Sequence, residues 1–203
     1  MTKAYRYVLV TDDGRAPCID NDLVTLGTCK PVIRRCASVG DWVMGFYPSS
    51  APYGTLAWVG RVDSKLSHDE YERVHRGRSD AVYRIGDQGR YQSLEPDYHP
   101  DSTQKQRDYN NPVLIFGTGH TWYFGDSPEA LPEELLHLTP SGQGHRVNGR
   151  RNGDLGDLIK WLERKSAVGI IGKPRHASES AFGFKACGSS SRRHGRSRCQ
   201  TKN

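Results

Sequence analysis

The sequence predicts an α+β domain built on a small, strongly curved antiparallel or mixed β-sheet, or an open barrel, with three to four short helices. Two observations predict this class. Short stretches of alternating or aromatic composition recur along residues 1–172, and most of them are separated by Gly- or Pro-containing turns. Helical patterns are fewer and short. The chain has 203 residues, which is long enough to bury a core without a metal ion or a disulfide.

Individual elements follow from local signals. Pro31 can open a helix because its missing N–H falls where no intrahelical partner exists. Ser67 and Glu70 match a capping box, and Asp154 is a suitable N-cap for an amphipathic helix. Gly40-Asp41 predicts a turn before an aromatic strand. We expect strands over residues 5–10, 42–47 and 55–63, the last with Leu56 and Trp58 on one face, and a hairpin of residues 112–116 and 120–124 around Gly117-Thr118-Gly119.

Charge divides the chain into two parts. The chain carries 29 Lys and Arg and 23 Asp and Glu residues. Residues 173–203 hold eight of the basic groups and one acidic group, so residues 1–172 have a net charge of −1. We therefore predict a folded domain over residues 1–172, with an irregular insertion at about residues 76–111, and a basic, disordered tail over residues 173–203.

Composition argues against several classes of protein. No stretch approaches the roughly 18 apolar residues of a membrane span, and the N-terminus lacks a signal core, so we expect a cytoplasmic protein without membrane contact. The five cysteines show no Cys-x-x-Cys pair, so we expect no metal, and Cys29 and Cys36 suit small buried apolar positions. No dinucleotide, phosphate-loop or Gly-x-Ser-x-Gly motif is present, so we expect no cofactor.

The insertion holds weak candidates for acid–base chemistry. Asp97, His99 and Asp101 are spaced two residues apart in a Pro-containing loop, and His120 or His145 could join them in space. Ordinary polar loop residues would show the same spacing. Arginines and lysines also alternate with tyrosines here, which suits backbone tracking and base stacking, or simply packing of half-buried rings.

A basic segment followed by aromatic strands predicts a binding site. Lys30, Arg34 and Arg35 are expected to stay solvated on a short helix, where they could hold phosphate. A solvated face without a ligand is the alternative. Trp42 and Tyr47 on one strand and Trp58 on the next could line a pocket for an unpaired base, whereas core packing is the alternative for each tryptophan.

Short motifs of a recognisable kind are distributed over residues 5–175. They are Tyr7-Val8-Leu9-Val10-Thr11, Asp13-Gly14, Ala16-Pro17, Cys29-Lys30-Pro31, Ile33-Arg34-Arg35, Gly40-Asp41-Trp42, Asp80, Tyr83, His99-Pro100, Val113-Leu114-Ile115, Tyr123-Phe124-Gly125, Gly144-His145-Arg146, Gly169-Ile170 and Gly172 with Pro174. Together these motifs resemble the bacterial and phage nucleotide modification associated domain family. The helix leading into Gly40-Asp41-Trp42, followed by Thr55-Leu-Ala-Trp58, also resembles the PUA-like superfamily, which includes the EVE and ASCH domains.

The resemblance implies a PUA-like fold and a link to nucleic-acid modification or phage defence. We expect a binding module that recognises a modified or flipped base in DNA or RNA, and we favour this over an enzyme. The first alternative is an enzyme acting on nucleotides or modified bases. The second is a protein-interaction module with partner proteins of a modification or defence system.

Overall fold

The computed structural model describes residues 2–48, 53–96, 98–99, 101–142, 144–148 and 153–177. Within these ranges the chain forms a nine-stranded sheet, a two-stranded sheet and four α-helices, none long and apolar enough to cross a membrane. The elements in chain order are β1 (Ala4–Val8), β2 (Cys18–Asp20), β3 (Leu23–Leu26), α1 (Pro31–Cys36), β4 (Trp42–Phe46), β5 (Thr55–Leu66), α2 (His68–Val74), β6 (Tyr83–Ile85), β7 (Tyr91–Ser93), α3 (Ser102–Tyr109), β8 (Val113–Tyr123), β9 (Glu129–Ala130), a 3₁₀ helix (Glu133–Leu138), β10 (His145–Val147), α4 (Asp154–Lys165) and β11 (Gly169–Ile170).

The main sheet has the order β10-β1-β4-β5-β8-β3-β2, with β9 paired to β5 and β11 paired to β8. β1 is parallel to β4 and β11 is parallel to β8, whereas the other pairs are antiparallel. The predicted α+β class with a mixed sheet is therefore confirmed. Across the described residues the path of strands does not close into a barrel.

Side chains are buried on both faces of this sheet. One face, called the α1 face below, carries Tyr7, Tyr47 and Trp58 and is covered by α1 through Ile33. The opposite face, called the α4 face, carries Trp42 and is covered by α4 and the 3₁₀ helix. Each side of the sheet therefore has its own apolar core.

A bulge in β5 changes the predicted assignment of faces. Gly45 of β4 pairs with Trp58, but the next residue, Phe46, pairs with Leu56. Ala57 is the extra residue, so strict alternation is broken at this point. Leu56 packs on the α4 face while Trp58 packs on the α1 face, and the prediction that they share a face is wrong.

The predicted hairpin around Gly117-Thr118-Gly119 is also wrong. β8 runs through these residues as one strand, and it pairs with β5 from Val113 at one end to Tyr123 at the other. The register between β5 and β8 shifts twice along this length, which accommodates the glycine-containing segment without a turn. The two apolar runs of the sequence are two halves of one long strand.

Helix starts follow the predicted signals closely. α1 begins at Pro31, and the capping box of α2 is confirmed, because Ser67 accepts from the Glu70 N–H and Glu70 accepts from the Ser67 N–H. α4 begins at Asp154, with Gly153 rather than Asp154 at the N-cap. Local capping chemistry therefore located these helices to within one residue.

The insertion at residues 76–111 contains the β6–β7 hairpin and α3, and its tyrosines pack on one another. The rings of Tyr91 and Tyr109 stack at 4.8 Å between centroids, and Tyr83 meets Tyr109 edge-on at 5.9 Å. Tyr98 completes this cluster. Packing, one of the two alternatives from the sequence, is thus the role of these rings.

The chain beyond β11 continues along the sheet. The Lys173 carbonyl accepts from the Asp126 N–H at 2.8 Å, and the His176 N–H donates to the Asp12 carbonyl at 2.7 Å. Residues 173–177, the first of the predicted tail, are therefore hydrogen-bonded to the domain. Residues 178–203 lie outside the described residues.

Alanine substitution of two glycines, one at the close approach of β1, β4 and β5 and one in α4, should affect stability differently. A Cβ atom at Gly45 would lie 2.6 Å from Trp58 Nε1, and Trp58 is fully buried, so Gly45→Ala should lower the free energy of unfolding by about 1–3 kcal/mol. A Cβ atom at Gly156 in α4 would meet nothing within 4 Å, so Gly156→Ala should be neutral or stabilise by up to about 1 kcal/mol. Urea denaturation of both variants measures the difference, and equal effects would contradict the packing described for Trp58.

Candidate active site

The connection between β3 and α1 holds two consecutive residues in a strained backbone conformation. Cys29 has a φ of 56° and Lys30 has a φ of 44°, both in the left-handed region that non-glycine residues rarely adopt. Such residues persist where their surroundings hold them, and they cluster at functional sites. The Cys29 N–H donates to Asp108 Oδ1 at 3.0 Å, and the Cys29 carbonyl accepts from Arg34 at 3.3 Å. Two side chains from outside the connection therefore fix its shape.

His99 reaches this connection from the insertion, and it also has a positive φ, of 49°. Its Nε2 lies 3.8 Å from Cys29 Sγ, and its Nδ1 lies 2.5 Å from Asp108 Oδ2. Because the carboxylate accepts, the proton belongs on Nδ1, which leaves Nε2 as an acceptor facing the thiol. The imidazole therefore lies between the thiol and the carboxylate. In enzymes with this arrangement the imidazole acts as the base that activates the nucleophile, and the carboxylate orients the imidazole.

Asp108, in the last turn of α3, connects these groups. Its Oδ1 accepts from the Cys29 N–H and from Arg34 at 3.1 Å, while Oδ2 faces His99 and the Tyr83 hydroxyl at 3.5 Å. Burial and the adjacent carboxylate raise the pKa of Tyr83, so its hydroxyl remains a donor. Only 4% of the Asp108 side chain is exposed. The carboxylate is therefore oriented toward His99 by the protein itself.

Arg34 lies beneath this cluster and is 0% exposed, so the prediction that it stays solvated is wrong. Its guanidinium donates to the Asp108 carboxylate and to the carbonyl oxygens of Asp108, Asn111 and Pro112, at 2.6 to 3.1 Å. Burial lowers the pKa of Arg34, and the Asp108 charge opposes that change. Because the Arg34 guanidinium is buried and its N–H groups already donate within the protein, it is not available to bind a phosphate.

His68 completes the buried side of the cluster. Its Nε2 lies 2.8 Å from the Arg34 guanidinium and 3.0 Å from the Asp108 carbonyl oxygen. Burial, and then the neighbouring Arg34 charge, lower the pKa of His68 to about 3. The ring is therefore neutral at pH 7 and accepts from Arg34. The Arg34 and Asp108 charges consequently balance each other without a third charge.

Two reduced thiols among the described residues have contrasting environments. Cys18 is buried, and this burial raises its pKa to about 12, so almost none of it is thiolate at neutral pH. Cys29 is partly exposed and lies beside His99. Because the thiolate is the reactive form of cysteine, Cys29 is the candidate nucleophile. Because Cys29 is partly exposed, the expectation that it occupies a small buried apolar position is wrong.

Comparison with family models is consistent with the predicted resemblance. The model of nucleotide modification associated domain 2 matches residues 1–111 and residues 76–181, which together include every residue of the site above. The chain belongs to this family. Its membership confirms the predicted family and links this nucleotide modification associated domain to nucleotide-modification systems. Searches of curated proteins and of solved structures returned no match.

The aromatic residues predicted to line a base pocket are core residues of the domain. Trp58 is 0% exposed and donates from Nε1 to the Tyr7 hydroxyl at 3.0 Å. Tyr47 is buried on the same α1 face, and its hydroxyl donates to Asp12 at 2.6 Å. Trp42 packs on the α4 face against Trp122. Because Trp42 lies across the sheet from Tyr47 and Trp58, the three side chains do not form one pocket.

The remaining acid–base candidates separate from His99. Asp101 is the N-cap of α3 and accepts from the Thr103 and Gln104 N–H groups, which lower its pKa. His145 lies on β10 with its ring 6.2 Å from that of Tyr5, and burial lowers its pKa. Asp97 lies outside the described residues. Sequence spacing therefore identified His99 but not its two partners, Cys29 and Asp108, which are distant in the chain and adjacent only in the fold.

The two other predicted phosphate contacts remain at the surface. Arg35 is exposed on α1, whereas Lys30 is half-buried, with its Nζ 4.9 Å from the centroid of the Tyr7 ring.

No group of three or more His, Cys, Asp or Glu side chains in the described part of the chain has the geometry of a metal site.

Arg34 and Arg35 are adjacent in the chain, but their truncation should affect the stability of the domain very differently. Arg34→Ala should lower the free energy of unfolding by about 3–5 kcal/mol, because it leaves the Asp108 carboxylate buried without its cation. Arg35→Ala should change it by less than about 0.5 kcal/mol, since that side chain is exposed. Urea denaturation monitored by tryptophan fluorescence distinguishes the two. Similar small effects for both variants would show that Arg34 is not the buried anchor described.

Proposed function

We propose that this domain is an enzyme of a nucleotide-modification system that forms a covalent bond between Cys29 and an electrophilic carbon of a nucleotide or base. One observation carries the proposal: His99 lies between the Cys29 thiol and the Asp108 carboxylate, 3.8 Å and 2.5 Å away through its two ring nitrogens. Three features support it further, namely the strained backbone of Cys29, Lys30 and His99, the partial exposure of Cys29, and family membership.

Each group has a defined role in this reaction. His99 Nε2 takes the thiol proton as the Cys29 sulfur bonds to the electrophilic carbon. The leaving group departs from that carbon with the bonding electron pair and receives the proton from His99. Water or a second protic nucleophile then attacks the same carbon and gives its proton to His99. The C–S bond breaks with its electron pair on sulfur, and His99 returns the proton to the thiolate, which restores the thiol. Asp108 stabilises the imidazolium and holds its orientation throughout.

Recognition of a modified or flipped base without catalysis is the second candidate. Lys30 and Arg35 remain available at the surface for contacts to DNA or RNA, and partner proteins of a modification or phage-defence system are compatible with this role. The burial of Trp42, Tyr47 and Trp58 favours the enzyme. For the architecture we propose a PUA-like arrangement, which is supported by α1 leading through the Gly40-Asp41 turn into β4.

Turnover is the test of the enzyme proposal. Nucleotides and oligonucleotides with modified and unmodified bases are incubated with the full chain, and substrate and protein masses are followed by mass spectrometry. We expect turnover of at least one substrate class, with Cys29→Ala abolishing it and His99→Gln slowing it by about 100- to 10,000-fold. His120→Gln is the matched control, because His120 contacts Trp42 on the opposite face of the sheet.

Two results would contradict the proposal. The first is turnover that survives Cys29→Ala in a folded protein. The second is base-specific binding without turnover that is unaffected by both Cys29→Ala and His99→Gln. The second result would identify the domain as a module that reads bases.

A further inference from the structure

Two cations that are distant in the chain lie over neighbouring tyrosines of the α1 face. Lys30 Nζ is 4.9 Å from the centroid of the Tyr7 ring, and Arg175 Cζ is 4.8 Å from the centroid of the Tyr47 ring. Both tyrosines belong to the core of the α1 face. Lys30 also follows Cys29 directly in the chain, which links this pair of cations to the thiol site.

Strand register sets the separation of the two tyrosines. β1 and β4 are parallel, with Tyr7 opposite Gly45, and Tyr47 follows two residues beyond Gly45 with its side chain on the same face. Neighbouring strands are about 4.8 Å apart and rise about 3.3 Å per residue, so the Cα atoms of the two tyrosines are about 8 Å apart. The two cations therefore lie over the rings of residues that are neighbours on one face of the sheet.

Arg175 is held in place by the segment that carries it. The Asp12 N–H donates to His176 Nδ1 at 3.0 Å, and the Asp12 carbonyl accepts from the His176 N–H at 2.7 Å. On the other side of Arg175, Pro174 packs so closely on Gly14 that a Cβ atom there would lie 2.8 Å from the proline ring. The backbone that carries Arg175 is therefore positioned before any ligand binds.

Neither cation is neutralised by an ion pair within the described ranges. Asp12 contacts the Arg175 backbone rather than its guanidinium, because its oxygens accept from the hydroxyls of Tyr47 at 2.6 Å and Tyr123 at 2.7 Å, and from the Arg175 N–H at 3.4 Å. Residues 1–177, which include both cations, hold 23 basic and 22 acidic groups and so have a net charge of +1. The two cations are therefore a local feature of the α1 face rather than part of a uniformly basic surface.

We propose that Lys30 and Arg175 bind the phosphate of the nucleotide, or of the nucleic-acid strand, whose base or sugar is presented to Cys29. An ammonium and a guanidinium fork are the side-chain groups that proteins use for phosphate. The inference rests on the proposed function for the identity of the bound molecule. Phosphate binding itself does not require the thiol, so the two ideas are tested separately.

Binding of thymidine 5′-monophosphate and of a ten-residue thymidylate oligonucleotide to the full chain tests the inference. We expect Lys30→Gln and Arg175→Gln each to weaken binding by about tenfold or more and to lower the salt dependence of oligonucleotide binding by about one charge. Arg164→Gln is the matched control, because Arg164 is exposed on α4 across the sheet and should leave binding unchanged. Residues 178–203 are identical in all variants, so their charge cancels from the comparison.

The two ligands distinguish a free nucleotide from a strand as the source of the phosphate. Tighter binding of the monophosphate supports a free nucleotide, and tighter binding of the oligonucleotide supports a strand. Equal binding by wild type, Lys30→Gln and Arg175→Gln overturns the inference, as does the absence of binding by wild type at low salt. Phosphate binding that depends on Lys30 and Arg175, in a protein without Cys29-dependent turnover, would support this site and refute the enzyme.

Discussion

The buried ion pair between Arg34 and Asp108 is the constraint on which the candidate site depends. Arg34 ties α1 to the end of α3, and Asp108 uses its remaining acceptor positions on Cys29 and His99. Two charges taken out of water are tolerated only where hydrogen bonds satisfy both. Here the carbonyl oxygens of Asp108, Asn111 and Pro112 and the neutral His68 accept from Arg34, while the Cys29 N–H and His99 Nδ1 donate to the Asp108 carboxylate. The same contacts that stabilise the fold therefore set the position of the thiol and the imidazole.

The thiol site combines three segments that are far apart in the chain. Cys29 comes from the connection into α1, His99 from the insertion and Asp108 from α3. Cys29, Lys30 and His99 have positive φ angles, which are unfavourable for residues other than glycine, so the surrounding contacts hold both loops in strained conformations. Preorganisation of this kind holds the Cys29 thiol, the His99 imidazole and the Asp108 carboxylate in contact before any ligand binds. The phosphate site proposed for Lys30 and Arg175 extends the same principle to the substrate.

Local signals in the sequence predicted much of the fold and little of the site. Capping and turn chemistry at Pro31, Ser67 and Asp154 located three helices, because those signals depend on a few adjacent residues. Pairing across the sheet did not follow in the same way, since the bulge at Ala57 and the continuous β8 depend on the partner strand.

The error over Arg34 has the same origin. Its residue type suggested a solvated cation, and only the position of Asp108, 74 residues away, makes it a buried anchor. Likewise, no spacing in the sequence joins Cys29 to His99. The sequence does contain a Cys-Lys-Pro motif at a helix start. That motif points to a reactive thiol only when the fold shows the His99 imidazole beside Cys29.

The most direct test of the central claim is the pH dependence of alkylation at Cys29, measured by peptide mapping after brief exposure to iodoacetamide. With His99 in place, Cys29 should react at pH 7 much faster than Cys18, whose pKa is raised to about 12. At pH 7, His99→Gln should slow the alkylation of Cys29, because the base beside the thiol is lost. Identical Cys29 profiles in wild type and His99→Gln, or a Cys29 no more reactive than Cys18, would contradict the account.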